Sequence, residues 1–91
     1  MTVRVQLPPV LRSVIGGART IESDGQSIGA VLANLARVHP AISLHLFDES
    51  GAIRRNIVFL HAGEAVRARE ARDRRVNPGD EIVVTNALAG G

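Results

Sequence analysis

Glu81-Ile82-Val83-Val84-Thr85-Asn86-Ala87-Leu88-Ala89-Gly90-Gly91 changes character halfway along its length. Glu81 to Thr85 is apolar and β-branched and follows Asn77-Pro78-Gly79-Asp80, a turn sequence, so it reads as a strand. Beyond Asn86 no large polar side chain occurs: Ala87, Leu88, Ala89, Gly90 and Gly91 lead straight to the carboxylate. Five extended residues reach roughly 17 Å. The two glycines add no side chain and permit unusual φ/ψ values, so a narrow tunnel in a partner could admit the segment. The chain is therefore expected to divide into a folded domain, residues 1–86, and a flexible tail, residues 87–91.

Glycine-rich ends are often merely frayed; a strand placed directly upstream gives this one a platform. A carboxylate is a poor electrophile and a weak nucleophile. An ATP-using partner could convert it to an acyl-adenylate, and sulfide transfer would then give a thiocarboxylate, a soft nucleophile. Gly91 would carry that group with minimal steric hindrance.

Upstream, Val3, Val5 and Leu7 alternate with Thr2, Arg4 and Gln6, the period of a half-buried strand, and Pro8-Pro9 stops its pairing. Leu11 and Val14 are expected to pin the following loop to the core, and Gly16-Gly17 is a turn. Ala18 to Glu22 reads as a second strand, paired with the first as a hairpin. Ser27 sits where an N-cap belongs, and Ile28, Val31, Leu32, Leu35 and Ala36 then mark one helical face. Pro40 ends that helix near Val38-His39. Gly29 costs up to ~1 kcal/mol of helix propensity, which close approach to the sheet would explain. Ala41 to Phe47 reads as a 3₁₀ turn or irregular crossover, and Ile53 to His61 as a long strand. In that strand Ile57 and Phe59 face the helix and Val58 and Leu60 face outward. Ala62-Gly63-Glu64 turns the chain and Val66 begins a short return.

Ninety-one residues make one domain, and 45% hydrophobic content supports one modest core. The absence of cysteine excludes disulfides, thiolate metal sites and a cysteine nucleophile. Any sulfur the protein handles must be acquired. All eleven basic residues are arginine and the net charge is only +2, so the high isoelectric point is no nucleic-acid signature. Without lysine the chain could be linked to further copies of itself only through its N-terminal amine. Its N-terminus has no signal-like apolar run, and no stretch approaches the ~20 apolar residues of a membrane helix. These features predict a cytoplasmic protein with neither a membrane nor a nucleic acid as partner.

Arg67 to Arg75 holds the highest charge density. Arg69/Asp73 and Glu70/Arg74 are i,i+4 pairs, which suggests a short solvated helical turn; interleaved acids and missing aromatics weigh against a phosphate-contacting patch. His39, His45 and His61 show no metal-ligand spacing and read as surface or packing residues. Neither a serine–histidine–acid set nor a paired-carboxylate site is visible, so no catalytic residue and no metal ligand is assigned. On the outward sheet face Val58, Leu60 and Val83 form a candidate docking patch, with ordinary scattered surface hydrophobes as the alternative.

The order strand, strand, helix, crossover, strand, short strand, strand, with a right-handed crossover, places the last strand beside the first. This predicts an α+β fold of β-grasp (ubiquitin-like) type, a mixed sheet of four to five strands with one main helix across it. The sequence resembles the ThiS/MoaD family of bacterial sulfur carrier proteins over essentially its whole length. The resemblance rests on Val3-x-Val5-x-Leu7-Pro8, Leu11-Arg12 with Gly16-Gly17, Ser27-Ile28-Gly29-Ala30-Val31, Ile42-Ser43, Val66-Arg67, Pro78-Gly79-Asp80-Glu81-Ile82 and the terminal Ala87-Leu88-Ala89-Gly90-Gly91. Length and the Leu-Arg…Gly-Gly segment are most like the branch serving thiocarboxylate-dependent cysteine biosynthesis (CysO-type).

The resemblance implies a carrier that binds no cofactor of its own. An E1-like adenylyltransferase and sulfurtransferase, using ATP, would activate Gly91. Ala87, Leu88, Ala89 and Gly90 would line the partner's tunnel. A sulfur-accepting synthase, a cysteine synthase or the large subunit of molybdopterin synthase, would receive the sulfur. A molybdopterin-synthase small subunit, a thiamin thiazole carrier and a ubiquitin-like modifier remain alternatives, and a β-grasp RNA-binding module is a more distant one.

Overall fold

The computed structural model describes residues 2–86. Five strands form one mixed sheet: β1 (Thr2–Gln6), β2 (Thr20–Asp24), β3 (Ile57–His61), β4 (Glu64–Arg67) and β5 (Glu81–Asn86), in the spatial order β2-β1-β5-β3-β4. The β1–β2 hairpin is antiparallel, with Val3 opposite Ser23 and Val5 opposite Ile21. β5 runs parallel to β1, pairing Val5 with Ile82, and antiparallel to β3, pairing Phe59 with Val84. The last strand thus lies beside the first, as the crossover rule requires.

One helix, α2 (Ile28–Val38), crosses the sheet, and its buried face is Ile28, Val31, Leu32 and Leu35. Its start is fixed chemically: the Ser27 side chain accepts a hydrogen bond from Ala30 N at 3.1 Å, satisfying one of the orphan donors of the first turn. The apolar face closes on Val3, Val5, Phe59, Ile82 and Val84 in a single core. Each fully buried Leu, Ile, Val or Phe there contributes about 1.5–3 kcal/mol of transfer free energy before chain entropy is counted.

Several elements depart from the sequence reading. The second strand starts at Thr20, two residues later than expected. The segment after β1 is a short helix, α1 (Pro9–Arg12), followed by a 3₁₀ turn at Ser13–Ile15; Leu11 is buried and Val14 packs against the core. The crossover is a helix, α3 (Pro40–Leu46), which buries Ile42 and Leu46 one turn apart. Pro40 takes the N1 position, where its missing N–H costs nothing. β3 begins only at Ile57, because Ile57 N donates to Arg54 O and the backbone turns there; Ile53 instead bridges Phe47.

α4 (Ala68–Ala71) supplies the expected helical turn in the arginine-rich stretch, but Ala68 and Ala71 are buried. This stretch braces α2: Ile28 N donates to Arg74 O and Val76 N to Gln26 O. Gly29 is the contact point. A Cβ there would lie 2.6 Å from Arg72 O, so the close approach exists, to the backbone after α4 and not to the sheet. No helix of the described residues is long and apolar enough to cross a membrane.

Candidate functional site

β5 is the central strand of the sheet, and its last residue, Asn86, pairs with Ile57 of β3. The predicted activation residue Gly91 and the tail residues Ala87, Leu88, Ala89 and Gly90 lie outside the described residues. What the fold defines is the platform from which they continue.

The start of that platform is clamped. Asp80 Oδ2 accepts from Asn77 N at 2.9 Å and sits 2.8 Å from His61 Nε2. Arg74 Nε donates to His61 Nδ1 at 3.1 Å, so Nε2 carries the proton that Asp80 accepts. Arg74 also forms an ion pair with Glu64 at 2.7 Å. The backbone joins in: Gly79 N donates to Thr2 O and Arg4 N to Asp80 O, each at 2.9 Å. The Asn77 amide and then the His61 ring hold the Asp80 carboxyl below its ordinary range. Pro78-Gly79-Asp80-Glu81 is therefore a rigid entry to β5, tied to β1 and β3 at once.

Sequence reasoning treated His61 only as a surface or packing residue. It is buried, and nearly all its hydrogen-bonding capacity is used by Asp80 and Arg74. The signal available was its inward parity with Ile57 and Phe59 on β3. Arg74 likewise pairs with Glu64 across the turn and not with Glu70 one helical turn away, because α4 stops at Ala71.

The outward face of the sheet brings the three predicted docking residues together. Leu60 lies directly opposite Val83 across the β3–β5 ladder, and Val58 is opposite Thr85, whose hydroxyl donates to Val58 O at 2.8 Å. Leu60 is 45% exposed, and Val58 and Val83 are half-buried. In register, Ala65 of β4 continues the row beyond Leu60, and Gln6 of β1 continues it beyond Val83. The next row away from Asn86 is charged: Arg4 stands between Glu81 and Glu22. On the other side Arg67 is opposite Val58. An apolar strip with a charged border is the pattern of an interface core and its rim. A shallow cleft of about 430 Å³ adjoins it, lined by Leu60 and Val83 and by the turns at Gly63 and Gly79.

Among the described residues no group of three or more His, Cys, Asp or Glu side chains is placed to hold a metal ion. His39 is half-buried and His45 exposed.

A β-grasp domain with its final strand at the centre of the sheet is the architecture of the ubiquitin-like proteins. Comparison with known proteins narrows this: the ThiS family profile matches residues 5–91, and the chain belongs to the ThiS family. The chain is 31% identical over 93 aligned residues to the sulfur carrier protein CysO of Mycobacterium tuberculosis, covering 100% of both. The crystal structure of M. tuberculosis CysO superposes with a TM-score of 0.82 at 28% identity, over 94% of this chain and 99% of that one. SAMP1 from Haloferax volcanii gives 0.81 at 28% identity over 100% of both chains. A chain of the Amycolatopsis orientalis BexX/CysO complex gives 0.81 at 26% identity, over 98% and 99%.

Proposed function

We propose that this protein is a sulfur carrier whose Gly91 carboxylate is activated by an E1-like enzyme and converted to a thiocarboxylate for cysteine biosynthesis. The carboxylate oxygen attacks the α-phosphorus of ATP, and pyrophosphate leaves. Sulfide sulfur then attacks the acyl carbon of the adenylate, and AMP departs with its electron pair. Oxygen has been replaced by sulfur with no change of oxidation state at carbon. The thiocarboxylate sulfur next bonds to Cβ of an activated serine on a cysteine synthase, as the Cβ–O bond breaks and the activated oxygen leaves with its electron pair. An S-to-N acyl shift and proteolysis release cysteine and restore Gly91. In this cycle Ala87, Leu88, Ala89 and Gly90 thread the partner's tunnel, Val58, Leu60 and Val83 meet its surface, and ATP belongs to the partner.

The observation that carries the reading is full-length similarity to a protein named as a sulfur carrier, in a chain that ends in Gly90-Gly91 and has no cysteine of its own. Incubation with the E1-like enzyme, ATP and sulfide should raise the mass by roughly 16 Da, one oxygen exchanged for one sulfur at an activated acyl group. Transfer to a cysteine synthase with activated serine should then leave one cysteinyl residue on Gly91. Deleting Gly91 should abolish both steps and leave the domain folded. No mass gain with a cognate activating enzyme would sink the reading. Sulfur gain without cysteinyl transfer would redirect it to molybdopterin or thiazole synthesis.

A second reading is favoured by the likeness to SAMP1, a small archaeal modifier protein. The same adenylate, attacked by a lysine amine of another protein, loses AMP and the amine a proton, and an isopeptide bond results. High-mass covalent adducts in lysates, lost when Gly91 is deleted, would establish it.

A further inference from the structure

The end of the domain from which the tail departs is hollow. Leu11 of α1, Leu46 of α3, Ile57 of β3 and Val84 of β5 form the apolar floor of a crevice of about 60 Å³, and Val10 and His45 stand on its rim. The four floor residues are buried, at 5% exposure or less, whereas Val10 is 61% exposed and His45 is exposed. The volume is about that of two waters.

An exposed valine alone means little. Its position supplies the argument. Thr85 also borders the crevice, and Gly91 is six residues further along the chain, no more than about 20 Å away at full extension. An enzyme that holds Gly91 at its nucleotide must bring its own surface to this end of the domain, whatever path the tail takes. The crevice is then the concavity that this surface meets on the helix side, as the Leu60–Val83 strip is on the open side.

We propose that the crevice receives one aliphatic side chain of the ATP-using enzyme that activates Gly91. The proposal rests on the sulfur-carrier reading above. The size admits a single side chain and not a peptide segment. A charged group would be desolvated against Leu11, Leu46, Ile57 and Val84, and the polar residues that also line the crevice, His45, Asn56 and Thr85, include no carboxylate, lysine or arginine to pair with it. An aliphatic knob would bury itself against the four floor residues, and the Thr85 hydroxyl would keep its bond to Val58 O.

The test is ATP–pyrophosphate exchange by the E1-like adenylyltransferase of the same genome, with carrier concentration varied, on wild type, Val10→Asp, Val10→Ala and Val38→Asp. Val38 is 55% exposed and does not line the crevice, so it reports generic effects of a surface charge. Val10→Asp should raise KM for the carrier about tenfold or more with kcat unchanged, Val10→Ala should raise it less, and Val38→Asp should stay within about twofold. Circular dichroism establishes that each variant is folded, and Val10→Ala carries the test alone if the aspartate variant is not. An unchanged KM for the Val10 variants overturns the proposal, as does an equal rise for Val38→Asp. A fall in KM also overturns it, because the crevice would then be holding the carrier's own tail. Wild-type carrier that supports no exchange defeats the sulfur-carrier reading itself, and the proposal with it. Exchange by wild type that Val10 does not influence defeats the crevice proposal alone.

Discussion

His61 Nε2 and Asp80 Oδ2, 19 residues apart in sequence, meet at 2.8 Å where β3 ends and β5 begins. The contact fixes the entry of the central strand. His61 is 5% exposed, and truncating it leaves the Arg74 guanidinium and the Asp80 carboxylate without their shared partner. His61→Ala should cost about 1–3 kcal/mol of unfolding free energy. A change in the urea midpoint equivalent to less than about 0.5 kcal/mol would show the contact to be incidental.

The same pair sets an acid dependence. The ordinary pKa of the Asp80 carboxyl is 3.8, and the folded protein holds it lower, through the Asn77 amide first and the His61 ring second. The folded state then binds fewer protons than the unfolded state. Its stabilisation is fully present above that ordinary value and is lost as pH falls through the folded one. Asp80→Asn should be less stable than wild type at neutral pH, and the gap should close on acidification below about pH 4. Urea titrations at neutral and acid pH read this out. A gap that widens in acid contradicts the assignment. Asp48, lowered by the Ser50 hydroxyl, adds an independent slope in both proteins.

At Gly29 two effects compete. Alanine would gain up to ~1 kcal/mol of helix propensity. Its Cβ would also lie 2.6 Å from Arg72 O, a backbone atom that cannot swing aside. Separating α2 from the segment after α4 costs about 1–3 kcal/mol. The clash wins, and Gly29→Ala should lower the melting temperature; a more stable variant would show that this brace gives way freely.

Ser27→Ala removes the acceptor for Ala30 N at the start of α2. A loss of about 1 kcal/mol, within the 0.5–2 range of such caps, is expected. Thermal unfolding of Ser27→Asp, which restores an acceptor, should recover most of it.

On the open face of the sheet, Leu60 is 45% exposed beside Val83. Leu60→Asp should unfold normally and yet raise KM for the carrier in the activation assay about tenfold. Normal kinetics would reduce the strip to ordinary surface.

Much of the fold was legible because its elements state their periods plainly. Val3, Val5 and Leu7 alternate, Ile28 to Leu35 recur at helical spacing, and Ser27 marks where the helix starts. α3 was hidden by Leu44. Ile42, Leu44 and Leu46 suggest alternation, but only Ile42 and Leu46 are buried, and Leu44 is 75% exposed. Pro40, read as a stop for one helix, is the first residue of the next. β3 was overestimated because Ile53 looks like strand, although Arg54 turns the chain and its Nε donates to Leu44 O. The outward trio Val58, Leu60 and Val83 followed from parity alone. The His61–Asp80–Arg74 network did not, since it joins residues from three segments and leaves no local pattern.

The position of β5 has a consequence for biosynthesis. Without it, the β1–β2 and β3–β4 hairpins have no strand to join them, for β5 alone borders both β1 and β3. A polypeptide halted before residue 81 cannot zip its halves together, and its Phe59 and Val5 layer stays open to proteases. Closure of the sheet waits for residues 81–86 to be available. The architecture thereby works as an integrity check: the strand that joins the two hairpins is the last of the five in chain order, so a copy truncated before it cannot complete the sheet.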